Sequence, residues 1–240
     1  VTVNGEWSGS NSEGWVFSPT ADNANILASD IEGKLNAGTV SITTVNSSGT
    51  QLGSVYVDTD ITPNSSVQRR LGIEANGNVE LNNRLYLARS TSYPGHHVTI
   101  KAGGSIESTS SGYIYTSGGR YTSYLSDSRF IGVPGGDIYL EAGGYIDLKG
   151  QLQSEGGDRT STDYRNIYVA GDGGDIYLRG VGGVRFTTIV NSGGVNSYRS
   201  SYNGSAGAIE ISTDNGVVTD DGDNDGQVSG SITGGAFTKS

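Results

Sequence analysis

Apolar residues recur two apart in short bursts along this chain, and a glycine-rich stretch follows each burst. Five segments carry the pattern. Leu71 and Ile73 are followed by Val79 and Leu81; Val98 and Ile100 by Ile106; Ile138 and Leu140 by Ile146 and Leu148. Ile176 and Leu178 are followed by Val184 and Phe186, and Ile209 and Ile211 by Val217. A period of two puts the apolar side chains on one face of a strand. Each segment therefore predicts a strand, a bend and a second strand, with the glycines where the chain turns. Val40-Ser-Ile42 and Val55-Tyr-Val57 read as earlier copies.

No single copy can bury its apolar face, but stacked copies can. Equivalent strands start 27, 40, 38 and 33 residues apart, so the motif is constant and the excess lies in loops. The residue after each first strand is Glu74, Lys101, Glu141 and Arg179 in turn. If copies pair about 4.8 Å apart, these alternating charges are cross-strand neighbours. Tyr139 and Tyr177 are equivalent and should stack. The one helix signal is Ser29–Gly38, with Ser29 as cap, Glu32 completing a capping box, Gly38 as stop, and Leu27, Ile31 and Leu35 as an apolar stripe. Residues 1–24 read as an extended segment, 25–220 as the repeating body, and 221–240 as an acidic loop and tail.

Residues 26–42 (ILASDIEGKLNAGTVSI), then Gly53-Ser-Val-Tyr-Val57 and the later Gly-Asp-Ile segments, resemble bacterial filamentous-haemagglutinin-like exoproteins. That resemblance implies an all-β fold: a right-handed parallel β-helix, or β-solenoid, with a short N-terminal capping helix and variable loops on one side. It also implies export to the extracellular space or the bacterial cell surface, and a role in adhesion, surface fibres or matrix. It brings no catalytic residues.

Composition narrows the functions. Gly accounts for 39 of 240 residues, and Cys and Met are absent. Thiol chemistry, disulfides and Cys-based zinc sites are thereby excluded. The net charge of −10 disfavours nucleic acid and anionic lipid as partners. No apolar run approaches the roughly 18 residues of a membrane-spanning helix. A start at Val1 reads as a processed or excised piece.

Two constellations could carry function. Asp221-Gly-Asp223-Asn-Asp225-Gly226 is the opening of a calcium loop, with carboxylates at alternate positions to converge on Ca2+. Its twelfth position is Ile232 where a bidentate Glu is expected, so another oxygen would have to complete it. The second is a set of four loops, 88–97, 113–135, 155–173 and 191–207, which hold nine of the fourteen tyrosines. Tyr93, Tyr113, Tyr115, Arg120, Tyr121, Tyr124, Tyr164, Arg165, Tyr168, Tyr198, Arg199 and Tyr202 form the candidate ligand or assembly surface. Tyr and Arg among Ser and Gly is the composition of binding loops. The blander alternative is that these loops pack on one another.

The resulting expectation is a structural or adhesive fibre subunit that binds copies of itself. The alternatives are a glycan-binding module acting alone, with polysaccharide as partner, and a polysaccharide-active enzyme using Asp158, Asp163, Asp172 and Asp175 near Arg159 and Arg165. Those carboxylates have no recognisable spacing, so the expectation is no enzyme. His96 and His97 read as ordinary surface or loop residues, and Trp7 and Trp15 as docking on the end of the stack or on a partner.

Overall fold

A computed structural model describes residues 4–45, 52–88, 93–119, 130–131, 133–158, 168–194, 203–214, 216–220, 230–233 and 237–239. The elements, in chain order, are β1 (Gly5–Ser10), β2 (Gly14–Pro19), α1 (Ala28–Ala37), β3 (Val40–Thr43), β4 (Val55–Val57), β5 (Arg70–Ala75), β6 (Val79–Leu81) and β7 (Leu85–Tyr86). They continue with β8 (His97–Ala102), β9 (Ile106–Ser108), β10 (Ile114–Tyr115), β11 (Phe130–Ile131), β12 (Ile138–Ala142), β13 (Tyr145–Glu155) and β14 (Tyr168–Val169). The last are β15 (Ile176–Gly180), β16 (Gly183–Ser192), β17 (Ile209–Ser212), β18 (Val218–Asp220), β19 (Gly230–Thr233) and β20 (Phe237–Lys239).

Two nine-stranded sheets dominate. The first runs β1-β2-β3-β5-β8-β12-β15-β17-β19. The second runs β20-β18-β16-β13-β9-β6-β4, with β7 and β10 attached beside β13. A small parallel pair, β11 and β14, stands apart. The pairing of β13 with β16 shifts register between Leu148 and Gln151.

The expected right-handed parallel β-helix is not what the chain builds. The first sheet is mixed: β1 returns antiparallel on β2, with Trp7 opposite Phe17, before the parallel pairings begin at β2 and β3. Gly9 and Gly14 flank that turn with φ of 102° and 94°, in the region that favours glycine. Alternation of apolar residues selects a buried face but carries no information on strand direction. Among the described residues the fold is mostly β, with two large sheets, one of them mixed, and one helix.

The predicted strand registers are present within that fold. Leu71, Val98, Ile138, Ile176 and Ile209 pair in series, as do Ile73, Ile100, Leu140, Leu178 and Ile211. Facing them across the interior are Val79, Leu81, Ile106, Ile146, Leu148, Val184, Phe186 and Val218, all buried. Each such side chain contributes about 1.5–3 kcal/mol by leaving water. In the last segment Val218, not Val217, faces inward, because the bend after Ile211 is one residue longer; Val217 is exposed.

The helix starts one residue before its predicted cap. Leu27 occupies that position with extended backbone and makes no side-chain cap, and its carbonyl accepts the N–H groups of Asp30 and Ile31. Glu32 does not close a capping box; its carboxylate accepts from the backbone N–H and hydroxyl of Thr62 at 2.7 and 3.2 Å. Ile31 and Leu35 are buried as expected, whereas Leu27 is exposed. Gly38 ends the helix, its N–H reaching the Lys34 carbonyl.

Glycine has a second use that the sequence reading missed. Only Gly9, Gly14, Gly53 and Gly183 have positive φ among the described glycines. Many of the others lie where successive copies bring backbone against backbone. A Cβ on Gly204 would stand 1.8 Å from the Gly171 carbonyl oxygen, and one on Gly207 2.3 Å from that of Gly174. These positions need glycine for space.

Candidate functional site

The outer face of the first sheet carries the alternating charge ladder. Glu74, Lys101, Glu141 and Arg179 are successive pairing partners. Glu141 lies 3.5 Å from Lys101 and 3.0 Å from Arg179, and Arg179 reaches on to Asp214 at 2.9 Å. Tyr139 and Tyr177 stack beside it, 4.6 Å between centroids and 7° between planes. The Tyr139 hydroxyl donates to Glu141 at 3.0 Å. Burial, that hydrogen bond and the carboxylate charge push the Tyr139 phenol up to about 12. Burial also works against ionisation of Glu141, but hydrogen bonds from Tyr139 and Arg179 and the charge of Lys101 outweigh it and hold the carboxyl below its ordinary value.

The second sheet has a different outer face. Glu80, Glu107 and Asp147 sit in register, three like charges in a row. Tyr145 donates its hydroxyl to Glu107 at 2.8 Å. Arg185 follows Asp147 in the ladder.

A tyrosine cluster lies beside this face, on β7 and β10. Leu85 and Ile114 point inward and pair, which turns Tyr86 and Tyr115 outward as a second pair. Their ring centroids are 5.5 Å apart, and Tyr113 adds a third ring 5.6 Å from Tyr115. Burial and the neighbouring Tyr113 raise the Tyr115 phenol, against the opposing pull of Arg84. Arg84 is held by Asp60, its guanidinium nitrogens at 2.5 and 3.0 Å from one carboxylate oxygen. Tilted phenol rings with a fixed guanidinium alongside provide apolar stacking area and hydrogen-bonding edges.

Of the predicted surface, Tyr113 and Tyr115 belong to this cluster. Tyr93 is at the exposed margin of its loop, where its carbonyl accepts the N–H of Gly119. The backbone of Tyr168 pairs with Phe130 in the small parallel pair. Arg120, Tyr121, Tyr124, Tyr164, Arg165, Tyr198, Arg199 and Tyr202 lie outside the described residues, as do Asp221, Asp223 and Asp225. Tyr86 and Arg84 were missed, although the alternation Leu85-Tyr86-Leu87 already turns Tyr86 outward.

The other singled-out residues have structural placements. Asp172 and Asp175, candidates for carboxylate chemistry, accept the N–H groups of Ser205 and Ala208, each at 2.7 Å. Asp163, Arg159 and Arg165 lie outside the described residues. His96 is fully buried rather than on the surface, and its Nδ1 accepts the Arg69 N–H at 2.9 Å. His97 Nδ1 accepts the Asp137 N–H at 3.0 Å. The Lys34 ammonium sits 3.6 Å from the ring centroid of Trp15 and 4.8 Å from that of Trp7, so both tryptophans face the helix. Among the described residues, no group of three or more His, Asp or Glu is placed to hold a metal ion, and no helix is long and apolar enough to cross a membrane.

No protein-family model, no curated protein and no solved structure matches this chain.

Proposed function

We propose that this protein is a structural and adhesive subunit, working outside a bacterial cell or on its surface, that assembles with copies of itself by adding sheet edge to sheet edge. The observation that carries this reading is the form of the sheet ends. Among the described residues, the first sheet stops at β19 and the second at β20 and β4, and each of these strands has a pairing partner on one side only. Edge strands present unpaired N–H and C=O groups and are templates for another chain. An end that meets a different end does not close on itself, so it propagates as a filament. The resemblance of residues 26–57 to exported haemagglutinin-like proteins supports the same setting. Calcium held by Asp221, Asp223 and Asp225 would neutralise the acidic loop between the strands that end the chain.

Electron microscopy of the purified chain, with and without calcium, tests this. Uniform filaments, longer with calcium, are the expected result. Single short particles at all concentrations would refute assembly. The tyrosine cluster at Tyr86, Tyr113 and Tyr115 would then favour a second reading, a monomeric glycan-binding module, to be tested on a glycan array with Tyr86→Ser as control.

A further inference from the structure

An oxidant that reaches this chain finds few places to act. The sequence has no Cys and no Met, two Trp and 14 Tyr. Sulfur, the most readily oxidised side-chain atom, is therefore absent. Trp7 and Trp15 both face the Lys34 ammonium, which lies 4.8 and 3.6 Å from their ring centroids. A cation held there opposes the loss of an electron from either indole. The tyrosines remain, and one pair of them stands apart.

Tyr139 and Tyr177 are 38 residues apart in sequence but directly opposite each other on β12 and β15. Their rings are parallel within 7°, with centroids 4.6 Å apart. The stack is limited to two rings, because the next residues along the same row are Thr99 on β8 and Glu210 on β17. The Tyr139 hydroxyl donates to a Glu141 carboxylate oxygen at 3.0 Å. A carboxylate so placed takes the phenolic proton as an electron leaves the ring. The cluster at β7 and β10 differs on both counts. Tyr115 donates to the amide oxygen of Gln151 at 3.4 Å, and the rings of Tyr86 and Tyr113 are tilted against it by 58° and 47°. An amide is no base for that proton.

We propose that Tyr139 and Tyr177 are a site of oxidative cross-linking, at which a peroxidase using hydrogen peroxide joins the two side chains as dityrosine. One electron and one proton leave each phenol, the proton of Tyr139 by way of Glu141, and hydrogen peroxide takes up both pairs to become water. The two phenoxyl radicals form a carbon–carbon bond between their ε carbons, ortho to the hydroxyls. The hydrogens on those carbons then pass to the phenoxyl oxygens, which restores both aromatic rings. The geometry suits this coupling. Each ε carbon stands off the long axis of its ring by about a quarter of the 4.6 Å separation, so rings turned edge-on about Cβ–Cγ, a soft torsion for Tyr, bring the facing ε carbons to about half of it. The product is a covalent tie between two successive copies, in a chain without a cysteine to make one. It forms within one molecule and does not depend on the assembly proposed above.

Treatment of the full chain with hydrogen peroxide and a haem peroxidase, in dilute solution, tests the proposal. Dityrosine fluorescence is expected in the monomer band of a denaturing gel, and tandem mass spectrometry of a digest should find residues 139 and 177 joined as the main product. Closing a loop of this length should raise Tm by about 5–10 °C. Tyr177→Phe keeps a stacked ring and should abolish the cross-link with an unchanged circular dichroism spectrum. Tyr145→Phe removes a more exposed tyrosine and should leave the cross-link as it is. Glu141→Gln should slow its formation by roughly threefold or more. Cross-links among other tyrosines with none between 139 and 177, or covalent dimers alone, would overturn the proposal. An undiminished rate in Glu141→Gln would overturn Glu141 as the proton acceptor.

Discussion

Replacing Glu141 by Gln isolates the electrostatic part of the charge ladder. The amide keeps an oxygen for the Tyr139 hydroxyl, so that hydrogen bond has a substitute acceptor. What is lost is the attraction to Lys101 at 3.5 Å and Arg179 at 3.0 Å. Glu141 is about a quarter exposed, with a side-chain value of 28%, so water screens both pairs. Exposed pairs contribute about 0.2–1 kcal/mol each, which puts the loss for Glu141→Gln at about 0.5–2 kcal/mol. Glu141→Lys should cost more, because it stacks three cations in a row. Urea unfolding at 0.05 and 0.5 M NaCl measures both, and the deficit should shrink in high salt.

The same carboxylate gives two pH signatures. Its folded-state pKa is depressed, so its contribution is complete above the unfolded value of about 4.3 and disappears as pH falls through the folded value. The gap between wild type and Glu141→Gln should therefore close below pH 4. At the alkaline end the Tyr139 phenol is raised to about 12 partly by this carboxylate. Its contribution is present below the unfolded value of about 10 and is lost as pH rises through 12. Absorbance at 295 nm should show a late-titrating tyrosine that moves earlier in Glu141→Gln. A variant as stable as wild type at low salt, with an unchanged tyrosine titration, would refute the coupling of ladder and stack.

Glu107→Gln should have the opposite effect, because Glu107 lies between Glu80 and Asp147; a gain of a few tenths of a kcal/mol, larger at low salt, is expected in urea unfolding. Gly156→Ala should destabilise by about 1–3 kcal/mol or more, since its Cβ would meet the Gly171 carbonyl oxygen at 1.8 Å. Gly33→Ala, in α1 with nothing within 4 Å of the new Cβ, should instead stabilise by up to about 1 kcal/mol, and the pair is read by thermal unfolding. Lys34→Met keeps the stem over Trp15 and removes the cation, so tryptophan fluorescence should shift with a loss of about 0.5–2 kcal/mol.

The strands and their registers were legible because a period of two is a strong local signal. The ladder Glu74, Lys101, Glu141, Arg179 and the Tyr139–Tyr177 stack follow from that register alone. Direction was not legible. The β1–β2 hairpin depends on the turn between Ser10 and Gly14, and its polar sequence resembles the loops elsewhere. The start of α1 was misplaced because Glu32, the local capping candidate, is drawn away by Thr62, thirty residues on. The glycines were read as bends because sequence carries the cost of φ but not the distance to a backbone in another copy. Val217 and Val218 are equivalent by pattern, and only the longer bend decides between them.

The polar residues of the bends explain how a chain with only 33% apolar residues can hold two such sheets. Ser54 accepts the N–H of Asn78, Asn78 that of Ser105, and Ser105 that of Tyr145, each on to the next copy. On another line, Asp137 accepts from Asp175 and Asp175 from Ala208. Backbone donors that neither sheet satisfies are thus taken up by side chains stacked in the same rhythm as the core. Asp172 likewise accepts the N–H of Ser205. The tyrosines of β7 and β10 are a different case: the core needs Leu85 and Ile114 there but not Tyr86, Tyr113 or Tyr115. Tyr86, the most exposed of the three, is turned outward where a partner could reach it, and this makes the tyrosine cluster the place to test for recognition.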